Sequence, residues 1–180
     1  MRKNLWLVVC LIFVFVIAAC SRSETKAPTT PVGSTTVPPV AGPVDGPPAD
    51  VVQASAAEVE LTPGGKAVAA VIVIIKPGYH INANPSSKFQ IPTTLIVDAG
   101  RGISGSAAIY PPGISKKFSF SPDSIVVYEK EIVIKQPLQA TGETAKGGLS
   151  LHGKLKVQPC DDQVCYPPRV LPVSIPVIIK

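Results

Sequence analysis

Short β-branched segments separated by proline and glycine are the feature that most limits how this chain can fold. Residues 67–75 form a nearly continuous run of alanine, valine and isoleucine that ends before Pro77-Gly78. Residues 57–61 alternate apolar and charged side chains and stop at Pro63. No window shows the 3.6-residue period of an amphipathic helix, whereas alternation bounded by turn residues predicts strands. The chain is therefore predicted to be all-β.

Nine segments are predicted as strands because each is rich in β-branched or aromatic residues and most are bounded by turn residues. The unbroken run at 67–75 is typical of a strand covered on both faces, and Pro92, Pro172 and Pro176 indicate sheet edges or bulges. So many short strands predict an immunoglobulin-like antiparallel β-sandwich. The segments are residues 57–61, 67–75, 79–82, 93–97, 107–110, 125–128, 131–135, 149–157 and 170–179.

The N-terminus has the pattern of a bacterial lipoprotein signal peptide. Arg2 and Lys3 precede an uncharged apolar run at residues 5–19, which is short for a transmembrane helix of about 20 residues. The run leads into Ala18-Ala19-Cys20, and small residues before a cysteine resemble the lipobox, where the cysteine is lipidated. We therefore predict a signal peptide at residues 1–19 and a lipid anchor on Cys20. An ordinary secretory signal and an uncleaved anchor are the alternatives.

Residues 20–50 are predicted to be the lipidated cysteine and a Pro/Thr-rich disordered linker. From Ser21 to Asp50 there are seven prolines and three glycines, with too few large apolar side chains to offset chain entropy. Ser21 differs from the aspartate that resembles an inner-membrane retention signal, which slightly favours the outer membrane. The folded domain is then residues 51–180 and lies outside the cytoplasm, where disulfides persist.

The charge pattern argues against nucleic-acid binding. The formal net charge is +5, but the basic residues are dispersed and no basic run exceeds Lys116-Lys117. No aromatic residues alternate with them to stack bases. We predict a solvated surface without a nucleic-acid partner.

Cys160 and Cys165 form the pair that remains if Cys10 is removed with the signal peptide and Cys20 is lipidated. Four residues separate them and Tyr166-Pro167-Pro168 follows. Cysteines this close can form a disulfide if the loop turns tightly, but the chain-entropy model gives such a short loop only about 2 kcal/mol of stabilisation. A pair that does little for stability and lies in a loop is a candidate redox site.

The block at residues 157–168, with the sequence VQPCDDQVCYPP, resembles the N-terminal periplasmic domain of DsbD-type thiol:disulfide interchange proteins. Less specific matches occur at 76–82, 91–93, 110–112 and 127–129, so the resemblance covers about residues 55–180. It implies an immunoglobulin-like domain that passes electrons between a membrane reductant and extracytoplasmic thiol proteins, without a cofactor. Its partners would be thioredoxin-like or other thiol redox proteins, held by transient mixed disulfides. The 180 residues include no membrane helices or thioredoxin-like domain, so a separate protein is expected to supply electrons.

The resemblance also implies unequal roles for the two cysteines. Cys165 matches the cysteine that forms the mixed disulfide with a partner, and Cys160 matches the one that closes the intramolecular disulfide. A cap loop with a phenylalanine over the sulfurs matches the region of Phe118 and Phe120, with Phe120 aligning slightly better. Both phenylalanines could instead be core residues of a strand, on one face because one residue separates them.

The predicted neighbourhood of the pair contains His80 and Asn82, where the best-known members carry tyrosines, and Tyr166. His80 could protonate a leaving thiolate, although a surface or hydrogen-bonding histidine is the favoured interpretation. His152 is interpreted as structural or solvent-facing. A metal site of the two cysteines and His80 is not predicted, because the spacing matches no common zinc pattern.

Asp161 and Asp162 suggest that the thiols are shielded. Two carboxylates beside Cys160 disfavour a thiolate if they are not paired, and no helix N-terminus is predicted to stabilise one. The hypothesis is a poor spontaneous nucleophile that reacts when a docked partner excludes solvent. The competing function is a non-catalytic immunoglobulin-like binding module of the envelope in which the disulfide only fixes a loop.

Overall fold

The computed structural model describes residues 46–180, and the predicted signal peptide, the lipidation of Cys20 and linker residues up to 45 lie outside this part. No helix occurs within residues 46–180, so this part contains none that could cross a membrane. The strands are β1 (Val52–Ala56), β2 (Val59–Leu61), β3 (Lys66–Ile75), β4 (His80–Asn82), β5 (Thr94–Val97), β6 (Ile103–Gly105), β7 (Ile114–Lys116), β8 (Ile125–Tyr128), β9 (Glu131–Ala140), β10 (Gly147–Val157), β11 (Pro159–Cys160) and β12 (Arg169–Ile179).

The strands form three four-stranded sheets. The first has the order β1-β3-β9-β6, the second β2-β12-β10-β5 and the third β11-β4-β8-β7. The strand pairs are antiparallel except that β2 runs parallel to β12. The prediction of an all-β, immunoglobulin-like sandwich is confirmed, with this parallel pair as a departure from a fully antiparallel arrangement.

The inward faces of the first two sheets share one apolar core. Alternation along β3 buries Val71, Val73 and Ile75, and β12 contributes Ile175 and Val177 in the same way. Each large aliphatic side chain removed from water stabilises the fold by about 1.5–3 kcal/mol, so this layer dominates stability. The packed sandwich is therefore the support on which the smaller third sheet rests.

The outer face of β3 does not match the sequence-based prediction. Val68 and Ile74 are 54% and 45% exposed, so the prediction of a strand covered on both faces is wrong. β1 and β9 pair with the two edges of β3 and leave its outer face open to solvent. The β-branched residues there satisfy strand propensity without being core residues.

Several strand boundaries also differ from prediction. Residues 107–110 make one bridge, between Ile109 and Lys135, rather than a strand. The Tyr110 hydroxyl accepts a hydrogen bond from the Leu95 amide at 2.8 Å, which holds this segment across the end of β5. The unpredicted strands are β1, β6, β7 and β11, each five residues or shorter.

The segment before β1 packs on the domain, although residues 47–50 were predicted to belong to the disordered linker. Pro47 is buried, and the Arg169 guanidinium donates hydrogen bonds to the carbonyls of Pro47 and Ala49 at 3.1 and 3.0 Å. Asp50 forms an ion pair with Lys76, and that hydrogen bond lowers the pKa of the carboxyl. The chain therefore joins the domain beside the first residue of β12.

Candidate redox site

The disulfide loop leaves the sandwich where β10 and β12 separate. These strands pair along their whole length up to Val157 and Arg169, and the segment between them carries β11 and both cysteines. Cys160 and Cys165 are joined by a disulfide. The disulfide loop is thus attached to the end of β10 and β12, the longest strand pair of the fold.

Asp161 organises the turn between the two cysteines. Its Oδ1 accepts hydrogen bonds from the amides of Gln163 and Val164, both at 2.8 Å, and its own amide donates to the Val164 carbonyl at 3.0 Å. An aspartate that bonds the backbone two and three residues ahead closes a tight turn. The loop conformation is therefore fixed by its own side chain as well as by the disulfide.

The other oxygen of Asp161 is bound by Tyr166. The Tyr166 hydroxyl donates to Oδ2 at 2.5 Å, which raises the pKa of Tyr166 to about 12 and lowers the pKa of Asp161. The side chain of Asp162 is 77% exposed. Asp162 Oδ1 also lies 4.0 Å from Lys116 Nζ. Both carboxylates therefore have a partner, and the shielded-thiol hypothesis, which depends on unpaired carboxylates, loses that condition.

The two cysteines differ in exposure. Cys160 is fully buried in β11, whereas Cys165 is partly exposed at the far side of the loop. β11 pairs with β4, so one cysteine is covered by the third sheet while the other lies next to solvent. Of the two cysteines, Cys165 is therefore the more accessible residue.

His80 lies directly opposite Cys160 on β4. It is only 1% exposed, and its Nε2 atom has no hydrogen-bond partner. Burial lowers the pKa of His80; the negative charges of Glu129, Asp162 and Asp161 partly counteract this, and Lys116 adds to it. The interpretation of His80 as a surface histidine is wrong because the side chain is buried.

Asn82 lies two residues further along β4 and ties three segments together. It is fully buried, and its Nδ2 donates to the Ile91 carbonyl and to Gln158 Oε1, both at 3.1 Å. The hydroxyl of Thr93 donates to the Asn82 carbonyl at 2.6 Å. Asn82 thus holds Gln158, two residues before Cys160, against β4.

The two phenylalanines lie in the loop between β7 and β8, so their interpretation as strand residues is wrong. Phe118 is 4% exposed and stacks on His80 with ring centroids 4.2 Å apart. Phe120 stacks on the outer side of Phe118 at 5.2 Å and is 36% exposed. The Ser119 hydroxyl donates to the Asp162 carbonyl at 3.2 Å, which ties this loop to the disulfide loop.

Sequence reasoning missed an ion pair beside His80. Lys116 Nζ lies 2.6 Å from Glu129 Oε1, a hydrogen bond that raises the pKa of Lys116, and it also lies 5.3 Å from the centre of the Phe118 ring. Both residues line a cavity of about 240 Å³ that His80 and Tyr79 also line. Each charged residue lies at the end of a short strand, a position that carries no distinctive sequence signal.

Metal binding has no geometric support within residues 46–180. This part contains no group of three or more histidine, cysteine and acidic side chains that could hold a metal ion. The two sulfurs are bonded to each other, and His152 is exposed on β10, away from His80. The chemistry that the pair offers is disulfide exchange.

The comparisons with known proteins agree with the sequence resemblance. The family model described as "Thiol:disulfide interchange protein DsbD, N-terminal" matches residues 49–174. No curated protein matches the chain.

Three solved structures to which this chain is similar have the following scores. The reduced DsbD N-terminal domain of Neisseria meningitidis is 22% identical with a TM-score of 0.40, over 59% of this chain and 74% of that one. The N-terminal periplasmic domain of ScsB from Proteus mirabilis is 18% identical with a TM-score of 0.46, over 69% of this chain and 44% of that one. A cohesin from Pseudobacteroides cellulosolvens is 10% identical with a TM-score of 0.43, over 72% of this chain and 92% of that one.

The family model covers well over half of the chain and includes both cysteines, His80, Asn82 and the loop that carries Phe118. The chain belongs to the family of DsbD N-terminal thiol:disulfide interchange domains.

Proposed function

We propose that this protein exchanges disulfides with thiol proteins of the cell envelope through Cys165 and Cys160. The observation that carries the proposal is the unequal burial of one disulfide, with Cys165 partly exposed and Cys160 fully covered. Thiol–disulfide exchange depends on which sulfur can be attacked and on which thiol leaves. The geometry supports attack on Cys165 and departure of Cys160.

In the forward reaction, a partner thiolate attacks Cys165 Sγ and forms a mixed disulfide. The bond between the two sulfurs breaks, and its electron pair leaves on Cys160 Sγ, which takes up a proton. A second thiolate of the partner then attacks the mixed disulfide and releases Cys165. The partner dithiol is oxidised to a disulfide and the pair is reduced, a transfer of two electrons and two protons. The reverse sequence reduces an oxidised client.

The Phe118 loop serves as a cap in this proposal. Phe118 covers His80, the cross-strand neighbour of Cys160, and the bond from Ser119 to Asp162 holds the loop in place. A docked partner would displace the loop by replacing these few contacts. A closed cap favours reaction with a docked protein over reaction with small oxidants.

We also propose that the mature protein is a lipoprotein anchored through Cys20, with the domain facing the periplasm and the outer membrane slightly favoured. The N-terminal sequence pattern supports this, and thioredoxin-like or other thiol redox proteins are the proposed partners. Mass spectrometry of the mature N-terminus tests the anchor: it should find a lipidated Cys20. In a Cys20→Ser variant the protein should no longer be lipidated.

Equilibration with glutathione tests the exchange function. A carrier should have a reduction potential near about −200 mV, whereas a disulfide that only fixes a loop should lie below about −300 mV. A value in the lower range would support the competing binding module.

Trapping identifies the partner and the attacked sulfur. A Cys160→Ser variant leaves Cys165 free to form a mixed disulfide that cannot be resolved, so it should accumulate covalent complexes with envelope thiol proteins. The matched Cys165→Ser variant keeps the buried cysteine and should accumulate few. Equal trapping by both variants would contradict the assignment of roles.

A further inference from the structure

The position of His80 relative to Cys160 suggests proton transfer between them. The two residues are directly opposite each other in the antiparallel β4–β11 pair, so their side chains lie on the same face of the sheet. The Cβ atoms of such a pair are about 4.5–5.5 Å apart. The side chains of His80 and Cys160 are therefore neighbours on that face.

The Nε2 atom of His80 is buried and has no hydrogen-bond partner within residues 46–180. A buried polar atom without a hydrogen bond is unfavourable and calls for a reason. In the disulfide form, Cys160 Sγ carries no proton and can donate nothing to the ring. After reduction the Cys160 thiol becomes a donor, and its neighbour on β4 can accept.

We propose that His80 is the general base that removes the proton from the Cys160 thiol when a mixed disulfide on Cys165 is resolved. The proposal rests on the exchange function argued above. Nε2 accepts the thiol proton, and the Cys160 thiolate attacks Cys165 Sγ. The bond from Cys165 to the partner sulfur breaks, and the partner leaves as a thiolate with the electron pair. In the reverse direction the imidazolium returns the proton to the departing Cys160 thiolate.

The groups around His80 suit this role. Because burial lowers its pKa, the imidazole is neutral near pH 7 and can accept a proton. Glu129, the residue after β8, and the two aspartates of the disulfide loop favour the protonated ring, while Lys116 at the end of β7 opposes it. Lys116 is itself paired with Glu129, which reduces that opposition.

A route for the proton to leave is present. The cavity of about 240 Å³ is lined by His80, Lys116 and Glu129, and it also borders Asp162 in the disulfide loop. Phe118 covers the ring face of His80, so exchange with solvent takes place at the cavity side.

Stopped-flow reaction of the reduced protein with 5,5′-dithiobis(2-nitrobenzoate) tests the proposal. The first release of thionitrobenzoate reports attack by the accessible Cys165, and the second reports attack by Cys160 on the resulting mixed disulfide. The His80→Phe variant keeps a ring to stack on Phe118 but has no nitrogen. His152→Phe, on the exposed face of β10, is the matched control.

We expect the first phase to change less than twofold in both variants. The second phase should slow about a hundredfold at pH 7 in His80→Phe, the lower end of the effect of a general base, and stay unchanged in His152→Phe. The deficit should shrink above about pH 8.5, where a cysteine ionises without help. A second phase within threefold of the parent at pH 7, or a deficit that does not vary with pH, overturns the proposal.

NMR titration of the two histidines gives an independent readout. The pKa of His80 should be lower in the reduced protein than in the disulfide form, because the Cys160 thiol, still protonated where His80 titrates, donates a hydrogen bond to the neutral imidazole and not to the imidazolium. The signals of His152 serve as the internal control. Equal His80 values in both states would overturn the proposal. If His80→Phe does not fold, His80→Gln replaces it in the kinetic test. Failure of the exchange function would appear separately, as a glutathione potential below about −300 mV in the parent protein.

Discussion

The sandwich core and the disulfide end of the domain are held together in different ways. The core consists almost entirely of aliphatic side chains, most of them from the first two sheets, with Ile81 and Tyr128 added from the third. At the disulfide end, the third sheet buries His80 and Asn82 beside a cluster of only three apolar residues, Phe118, Ile125 and Val127. One region depends on nondirectional packing, and the other depends on particular hydrogen bonds and one aromatic stack.

This difference separates stability from reactivity. Apolar burial supplies most of the folding free energy, and it is spread over many side chains. The disulfide end can therefore change its hydrogen bonds when the cysteines are reduced without loss of the sandwich beneath it. Substitutions in the two regions should accordingly affect different measurements.

The largest expected effect on stability is in the core. Leu155 is fully buried in β10, opposite Leu95 on one side and Leu171 on the other. Leu155→Ala should lower the free energy of unfolding by about 3 kcal/mol through lost burial and a cavity. Chemical denaturation measures this loss, and Val170→Ala, at a residue 56% exposed, should change it by less than about 0.5 kcal/mol. If the native disulfide were reduced faster in Leu155→Ala than in the parent, the core and the disulfide end would not be independent of each other.

An intermediate effect is expected in the cap. Phe118→Ala should lower the free energy of unfolding by about 2 kcal/mol, less than Leu155→Ala, because its apolar cluster is small. It should also speed reduction of the native disulfide by dithiothreitol about tenfold, since the ring no longer covers the His80 side of the pair. Phe120→Ala is the control and should alter the rate less than twofold. A rate in Phe118→Ala equal to that of the parent would show that this loop is not a cap.

The smallest effect on stability is expected at Asp161. Asp161→Asn should lower the free energy of unfolding by less than about 1 kcal/mol, because asparagine keeps an oxygen that accepts from the two amides of the turn and only the charge is lost. The pKa of Tyr166, raised to about 12 by this carboxylate, should fall toward about 10, as followed by tyrosinate absorbance. Asp162→Asn is the control and should leave the Tyr166 titration unchanged.

The pH dependence of the free energy of unfolding shows whether the Asp161 carboxylate stabilises the folded protein. Its pKa is lowered in the folded protein, so its contribution is present above the unfolded value near 3.9 and is lost as the pH falls through the folded value. Between pH 5 and 2, the free energy of unfolding should therefore fall less in Asp161→Asn than in the parent. The two falls should differ by about as much as the free energies of unfolding of the two proteins differ at pH 7. An identical acid dependence would indicate that the bond to Tyr166 does not form in solution.

The fold was predictable where a strand has a long periodic pattern. β8 was predicted with its observed bounds, and β10 and β12 within two residues, because their apolar residues alternate over the whole length. β7 and β11 were missed because three and two residues are too few to show alternation. These short strands exist because the third sheet pairs them, which is a tertiary effect that local propensity does not encode.

The residues of the site could be predicted from the sequence only where they lie close together in the chain. Cys160, Cys165 and Tyr166 lie in one short block, and the resemblance supplied His80 and the two phenylalanines. The contact of Phe118 with His80, and the pairing of His80 with Cys160, join segments far apart in the sequence. The ion pair of Lys116 with Glu129 depends on the same sheet register, so none of these neighbours could be inferred from spacing.

The attachment point of residues 1–45 has a practical meaning for the geometry of the molecule. Pro47 and Ala49 are bonded to Arg169, the first residue of β12, next to the disulfide loop. β12 ends at Ile179, and its eleven residues, at about 3.3 Å each, span roughly 35 Å. A label at Ala49 would lie at the Arg169 end of β12, next to the disulfide loop, whereas one at Lys180 would lie at the opposite end of the strand. Distance measurements from Lys180 to Cys165 would therefore report how a bound partner is oriented along the long axis of the domain.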